Sequence, residues 1–465
     1  MPDGDAFDVA VVGGGVVGCA VARRFTLDGA RTVLLERGAD ILSGASKANS
    51  ALLHTGFDAP PGSLELACMQ AGYREYLDIR ERLNLPLLET GAMVVAWNDT
   101  DRQHLDAIEA QARENGVGDV RRLTPAEVSA REPHLAPDTC GALLVPGEHV
   151  IDPWSAPLAY LTQAVENGAG AVFNAEVTGG SFDGREWALQ TSKGSVRAGL
   201  VVNCAGLFGD ILEQKLLGAA GFAIRPRKGQ FVVFDKAAAA FLRTIILPVP
   251  NERTKGVVLA RTVFGNVLVG PTAEEQEDRE NAGVDEAVLR SLIARAVEMV
   301  PALRGMPVTA VYAGLRPATE KKEYRVSADA GRRWISVGGI RSTGLTAALG
   351  LAGHVARLHA EMKESAQFRP VENPVWPRMP NLAEHLERDW QRPDHGDIVC
   401  HCELVTRREI EAALDGPLPA GDIGGLKRRT RAGMGRCQGF YCQARVAALS
   451  EGRLADPLSV GACHG

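Results

Sequence analysis

Four of the chain's nine cysteines stand in two tight pairs, in "VCHC" (Val399 to Cys402) and "GRCQGFYC" (Gly435 to Cys442). The pattern is Cys400-x-Cys402, then thirty-four residues, then Cys437-x4-Cys442. Thiols clustered in this way point to metal or redox chemistry, and three kinds compete. A structural zinc takes four cysteines, but its halves usually read C-x2–4-C and a C-x-C half is unusual. A redox dithiol prefers C-x-x-C. A [2Fe–2S] cluster is held by four thiolates. Cys19, Cys68, Cys140, Cys204 and Cys463 follow no ligand spacing and read as small apolar residues.

A second constellation opens the chain. Gly13, Gly15 and Gly18 stand in GxGxxG spacing in "VAVVGGGVVGCAVARRF", and Glu36 closes "TVLLE". This is the chemistry of a dinucleotide site. Gly13 permits a tight turn, Gly15 lets backbone approach a pyrophosphate, and Gly18 lets helix pack on strand. The helix N-terminus then faces the phosphates, and Glu36 accepts the ribose hydroxyls of an adenosine. An acid at that position argues against a 2′-phosphate, which leaves FAD or NAD.

These groups need particular elements to hold them. An apolar strand over Val9–Val12, a helix marked by Ala20, Val21 and Phe25, and a second strand over Thr32–Leu35 supply the first site. Residues 64–82 and 101–115 have apolar residues at helical spacing, whereas "GAMVVAW", "VVLARTVFGNVLVGP" and "RWISVGG" read as strands. "SAQFRPVENPVWPRMPNLAEH" is proline-rich and aperiodic, as expected of a segment that wraps or spaces domains. In the closing unit, "TRREIEAAL" and "DIGGLKRRTRAG" each read as a short helix with a polar start. At 465 residues the chain suggests two or three domains. Its net charge of −6 makes no case for nucleic-acid binding. No apolar run approaches the roughly 20 residues of a membrane span. The acidic start runs straight into a strand rather than a signal peptide, so a cytoplasmic protein is expected.

Four stretches in order carry a family resemblance. "LSGASKANSALLHTGFDA" (Leu42 to Ala59) resembles the second flavin-contacting segment of the D-amino-acid-oxidase-like FAD-dependent oxidoreductases. "VVNCAG" (Val201 to Gly206) resembles the strand and turn that return to the dinucleotide. "IRPRKGQFVVFD" resembles the strand entering the substrate domain, and "VGGIRSTGLTAALGLAGHVA" the glycine turn and helix that close on the flavin. The cysteine unit, with "RRTRAGMGRCQGFYC", is similar to the bacterioferritin-associated-ferredoxin-like [2Fe–2S] domain in the form fused to glycerol-3-phosphate dehydrogenase-like flavoproteins.

The resemblance implies an α/β fold: a Rossmann-like FAD-binding domain interleaved with an α+β substrate domain, followed by a small helical iron–sulfur domain. The FAD-dependent oxidoreductase would span 1–365, with FAD-binding pieces at about 1–80, 150–220 and 330–365 and a substrate domain at about 81–149 and 221–329. A linker would occupy 366–396 and the [2Fe–2S] domain 397–455. The cofactors implied are FAD and a [2Fe–2S] cluster on Cys400, Cys402, Cys437 and Cys442. Beside Gly13, Gly15, Gly18 and Glu36, the FAD contacts implied are Arg37, Ser46, Asn49, Ser50, Ala205, Gly206, Gly339, Arg341, Gly344, Leu345 and Thr346. Lys427, Arg428, Arg429, Arg431 and Arg436 crowd the second cysteine pair, where cations would favour electron acceptance by an anionic cluster.

A flavin takes two electrons as a hydride, and a [2Fe–2S] centre passes them on singly, so a chain with both is expected to be a dehydrogenase exporting electrons rather than an oxidase. "YAGLRPAT" resembles the family's strand with a substrate-facing arginine, so Arg316 would grip a phosphate or carboxylate. Arg341 and Lys228 are further cations for that anion. His54 is the candidate base, flavin-contacting donor or flavin attachment point, and Tyr312 a further candidate. The expected reaction is sn-glycerol 3-phosphate to dihydroxyacetone phosphate. A 2-hydroxyglutarate-like hydroxy acid, an opine or amino acid, or a non-catalytic electron relay are the alternatives. The expected partners are a small anionic substrate and a second flavoprotein or electron-accepting subunit. Quinone would be reached through that subunit, with any docking at the inner face of the membrane borrowed from it.

Overall fold

The computed structural model of the chain describes residues 6–250, 256–362 and 367–458. Cys463 lies outside them. Two large sheets organise the first 362 residues. In the first, the strand Ala6–Val12 runs between Gly194–Asn203 and Thr32–Leu35, both parallel to it, with Val11 opposite Val202 and Leu34. Trp334–Gly338 adds a further parallel strand beside Gly194–Asn203. These strands are near-continuous apolar runs because helices cover the sheet; Val9, Val11, Leu34, Leu200 and Val202 share one core with the helices. The helix Val16–Leu27 follows the first strand directly, and Leu64–Leu83 crosses Gly344–Glu361. That crossing is close because a Cβ at Gly72 would meet the Thr346 carbonyl at 2.0 Å and one at Gly350 the Cys68 carbonyl at 2.1 Å. Cys19, Cys68 and Cys204 are buried, as small apolar residues are.

The second sheet is built on the long antiparallel pair Ile224–Phe234 and Val308–Thr319, which sets Arg227 opposite Arg316 and Gly229 opposite Gly314. It takes in Ala92–Ala96, Gly141–Val145 and the strands Val258–Arg261 and Val267–Gly270. The strand Arg325–Asp329, expected in the substrate domain, instead belongs to the nucleotide sheet. It returns antiparallel on Trp334–Gly338, with Val326 opposite Val337, because a tight turn joins the two.

The proline-rich segment is strapped to the body of the protein. Val371 N–H donates to the Leu27 carbonyl, Met379 N–H to Leu83 and Glu384 N–H to Val263. The Arg82 guanidinium lies over the Trp376 ring at 3.7 Å. Beyond it, a short hairpin (Ile398–Cys400 and Val405–Thr406) and helices Arg407–Asp415, Ile423–Thr430 and Gln443–Ser450 enclose a small core of Val399, Val405, Ile410, Leu426 and Val446. A capping box formed by Thr406 and Glu409 starts the first of these helices.

Candidate active site and electron-exit domain

One cavity of about 380 Å³ runs between the two sheets. At one end it is lined by Glu36, Arg37 and Gly38, in its middle by Gly13, Gly15, Ser46, Ala205 and Gly206, and at the other by Gly339, Arg341, Gly344 and Leu345. Asn49, Ser50 and Arg316 also line it. The glycines explain why the nucleotide end is open. Gly13 has φ +111°, a region L side chains rarely adopt, and a Cβ there would meet the Cys204 carbonyl at 2.5 Å. Gly18 lies behind the wall, where a Cβ would meet the Gly13 carbonyl at 1.9 Å, so its role is to seat helix on strand. The Glu36 carboxylate accepts from Gly14 N–H at 2.6 Å and Gly38 N–H at 2.7 Å, which fixes it at the mouth of the turn. Ser46 Oγ accepts from Val16 N–H at 3.0 Å at the start of the first helix.

The helices Val16–Leu27 and Gly344–Glu361 begin at the cavity, presenting unsatisfied N–H groups and positive dipole ends to it. An elongated dinucleotide with a central pyrophosphate fits this donor set. Gly15 and Gly206 leave room where backbone must approach phosphate, since a Cβ at Gly206 would meet nothing within 4 Å. Arg279, absent from the sequence-based set, closes one side. It donates to Asp210 Oδ1 at 2.5 Å and Oδ2 at 2.9 Å and to the Leu207 carbonyl at 2.7 Å. Burial pushes the Asp210 carboxyl up, but the Arg279 hydrogen bonds and the Ile224 N–H outweigh it and hold it below its ordinary value.

Arg316 and Arg341 are brought together at one cavity. Arg316 donates only to carbonyls, those of Thr272 at 3.1 Å and of Arg227 and Lys228 at 3.4 Å each, with no carboxylate partner among the described residues. Burial, reinforced by the nearby Arg227 and Arg341 charges, pushes its guanidinium down to about 10. A half-buried guanidinium whose described hydrogen bonds all go to carbonyls can still take an incoming anion. Arg341 donates to the Lys322 carbonyl at 2.9 Å and lies 4.0 Å from Glu65.

The remaining candidates sit behind or beside the wall. Lys228 points to Glu274 at 3.2 Å. The Tyr312 hydroxyl donates to the Asn49 carbonyl at 2.9 Å and its ring stacks on Phe231, so it supports the Asn49 segment from outside the cavity. Thr346 is buried in the first turn of the Gly344 helix, where its hydroxyl accepts from His54 N–H at 3.0 Å. That bond ties His54 to the turn bearing Gly344 and Leu345. The His54 ring lies with Nδ1 2.7 Å from Glu148 Oε2, while Glu148 Oε1 accepts from Thr55 N–H and Oγ1. Glu148 is fully buried and makes these bonds ninety-four residues away from His54, a separation that no motif announces.

The four closing thiols come as two contacting pairs, Cys402 with Cys437 and Cys400 with Cys442. Among the described residues no three thiol, imidazole or carboxylate groups converge on a single point. Four thiolates are the ligand set a [2Fe–2S] cluster takes. The Tyr441 N–H, with those of Gly439 and Phe440, holds the Cys437 thiol below its ordinary value, and these N–H groups suit a ligating thiolate.

The cations around the cysteines have a different task from the one expected. Arg429 donates to Asp40 Oδ2 at 2.6 Å and Oδ1 at 2.9 Å, a pair 5% and 1% exposed. Arg428 donates to the Ile41 carbonyl, Arg431 to Glu403 and Arg436 to Asp235. Four of the five therefore hold the domain together or dock it on the nucleotide loop and the second sheet, rather than merely surrounding a cluster. Arg431 also lies 4.0 Å over the Phe264 ring, which stacks on Trp154, whose indole N–H donates to the carbonyl of cavity-lining Lys47. Packed side chains thus run unbroken from Glu403, beside Cys402, to the wall of the cavity.

A nucleotide domain with this glycine turn, a covering sheet that brings Arg316 and Arg341 to the cavity, and a docked four-thiol domain define a flavoprotein oxidoreductase with an iron–sulfur domain. The chain belongs to the FAD dependent oxidoreductase family, whose model matches residues 8–358, and it carries a BFD-like [2Fe-2S] binding domain over residues 398–451. It is 31% identical over 448 residues to a glycerol 3-phosphate dehydrogenase of Caloramator mitchellensis, covering 95% of this chain and 93% of that protein. It is 26% identical to a subunit of the anaerobic glycerol-3-phosphate dehydrogenase of Escherichia coli K12, covering 96% and 88%. Among solved structures, dithionite-reduced L-alpha-glycerophosphate oxidase of Mycoplasma pneumoniae with FAD bound superposes with a TM-score of 0.75 at 26% identity, covering 81% of this chain and 99% of that one. FAD and a [2Fe–2S] cluster are the cofactors of the chain. No helix among the described residues is long and apolar enough to cross a membrane.

Proposed function

We propose that the chain oxidises sn-glycerol 3-phosphate to dihydroxyacetone phosphate and delivers the electrons, through its [2Fe–2S] domain, to a partner protein and from there to quinone. The observation that carries this reading is the pair Arg316 and Arg341 on one cavity, Arg316 half-buried and hydrogen-bonded only to carbonyls. The names of the dehydrogenase relatives support the substrate. That the Escherichia coli relative is one subunit of a larger enzyme supports the partner. A cytoplasmic location, with membrane contact borrowed from the partner, follows from the same reading.

In this proposal Arg316 clamps the phosphate and Arg341 adds a second positive charge, fixing the alcohol carbon relative to the flavin. Bound flavin supplies the two-electron acceptor. In this reading the hydroxyl proton goes to His54, which lies beside the cavity wall, tied by its N–H to Thr346. Glu148 holds Nδ1 and thereby fixes the ring so that Nε2 is the proton-accepting nitrogen. The oxidised-flavin band, followed anaerobically after adding glycerol 3-phosphate to the purified chain, tests the reading. Rapid bleaching supports it. Absence of bleaching in protein whose flavin is still reduced by dithionite overturns it and directs the test to 2-hydroxy acids and opines, which need the same anion clamp.

A further inference from the structure

Phe440 and Tyr441 are 82% and 74% exposed, whereas every other exposed large hydrophobic side chain among the described residues is below 50%. Both lie between Cys437 and Cys442, their rings edge to face at 5.1 Å. Phe440 N–H donates to the Cys437 carbonyl at 3.0 Å, so anything seated on these rings lies close to a residue of the cluster's ligand set. The charge along this stretch of sequence is one-sided. From Ile423 to Ser450 the sequence holds six basic residues and no acidic one, in a chain of net charge −6. Arg428, Arg429 and Arg431 turn inward to Ile41, Asp40 and Glu403. Arg436 and Arg445 are exposed though paired with Asp235 and Asp397 at 3.0 Å each, and Lys427 is half-exposed. Exposed aromatics within a basic rim have the composition of an interface centre.

We infer that the Phe440–Tyr441 tip is the docking site of a one-electron-accepting protein with an acidic rim and a metal centre near its own surface. The inference rests on the reading that electrons leave through the cluster. A protein is favoured over a lipid surface because the tip is built on a cluster ligand, where an acceptor must come close and a bilayer offers no electron acceptor. The step balances as one electron lost on this chain and one gained by the partner's oxidised metal, with no bond or proton changed.

The test uses the full chain with FAD and cluster loaded, pre-reduced with dithionite so that no substrate is needed, and mixed anaerobically with rubredoxin, a small acidic one-electron iron protein. Parent protein should reduce rubredoxin faster than the basic cytochrome c, with a rate that falls as salt rises. Phe440→Ser with Tyr441→Ser should slow rubredoxin reduction about ten-fold, while reduction of ferricyanide, which needs no docking, stays at the parent rate. Should the double variant lose its cluster absorbance, Lys427→Glu with Arg445→Glu, placed off the cysteine loop, serves instead and should slow rubredoxin reduction while flattening the salt dependence. Undiminished rubredoxin reduction in whichever variant retains its cluster overturns the inference. So does loss in that variant of binding to phosphatidylglycerol vesicles, or of a dimer seen in the parent, with rubredoxin reduction unchanged. Failure of glycerol 3-phosphate to bleach the flavin would touch only the substrate reading, since this test bypasses the substrate.

Discussion

Replacing Arg429 by Met should loosen the cluster domain from the nucleotide domain without unfolding either. Asp40 is 1% exposed, and its carboxylate receives two bonds from Arg429, one from Gly421 N–H at 3.0 Å and one from Ile41 N–H at 2.7 Å. Met fills most of the arginine's volume but removes the counter-charge, leaving a buried carboxylate with two backbone donors. Breaking a buried pair in this way costs about 3–5 kcal/mol, which multiplies the undocked population by about 150- to 5000-fold. The contact is tight on both sides, since a Cβ at Gly425 would sit 1.6 Å from Asp40 Oδ2 and one at Gly421 would sit 1.7 Å from the Ala39 carbonyl. Gly425→Ala should therefore undock the domain as Arg429→Met does, by sterics instead of charge. Amide hydrogen exchange reads the effect directly. Protection across 421–430 should fall by the stated factor while that of the Val9–Val12 strand stays unchanged, and trypsin should gain access at the buried Arg388. Adding Asp40→Asn to Arg429→Met should recover part of the protection, because the neutral amide no longer buries a charge. Equal exchange at 421–430 in parent and Arg429→Met would show that the pair does not hold the domains, and the reasoning would fail.

Removal of the Arg316 clamp by Arg316→Ala should lower kcat/KM for glycerol 3-phosphate by about 30- to 1000-fold, from about 2–4 kcal/mol of a desolvated anion contact, with Arg316→Lys recovering only part. An unchanged KM in Arg316→Ala removes Arg316 from the site. Glu148→Gln should lower kcat about 100-fold, within the range of a mis-set general base, with KM held; an unchanged kcat shows that His54 does not depend on it. Cys437→Ser should abolish the cluster's electron paramagnetic signal while FAD content and substrate-driven bleaching persist, and loss of FAD in that variant contradicts two separately folded sites. Asp210→Asn should speed FAD release on gel filtration by releasing Arg279. Since the Asp210 carboxyl is held below its ordinary value of about 3.9, the pair is intact above that pH and fails as pH drops beneath it, so FAD retention unchanged in Asp210→Asn would leave Arg279 without a closing role.

What could be read in advance is what backbone geometry writes into local sequence. The glycine turn, the terminal acid Glu36 and the two helices of the cysteine unit are short-range patterns, each decided by a handful of neighbouring residues. The anion clamp was visible only as arginines next to recognisable stretches. Nothing local separates Arg316, which reaches the cavity, from Lys228, which turns to Glu274 on the neighbouring strand. Glu148 and Asp40 were invisible, because their partners His54 and Arg429 lie far away in sequence and two acids among fifty-seven carry no mark of burial. The basic run near the cysteines did carry a signal, but its meaning depended on where the carboxylates would arrive. Gly421, Gly424 and Gly425 gave a further hint in retrospect: three glycines at the start of a short helix weaken it, a cost explained at Gly421 and Gly425 by the close approach of residues 39–40.

A single stretch explains why the parts are arranged this way. Between Glu36 and Ser50 the chain supplies the acid at the glycine turn, the Arg37 and Gly38 wall, the Asp40 anchor of the cluster domain, the Ser46 contact at the first helix, and the Asn49 and Ser50 lining of the same cavity as Arg316. Asp40 is flanked by Gly38 and Ser43, both in the cavity wall. The iron–sulfur domain is therefore fastened to the same loop that encloses the dinucleotide, and not carried on a free tether. The strapped proline segment and the Arg436–Asp235 contact fix its far side. A swinging domain would have to break a buried ion pair on every excursion, which the magnitudes above make rare. Electron exit then depends on a fixed distance from cavity to cluster, so the step left free to vary is the encounter with whatever protein meets the exposed end.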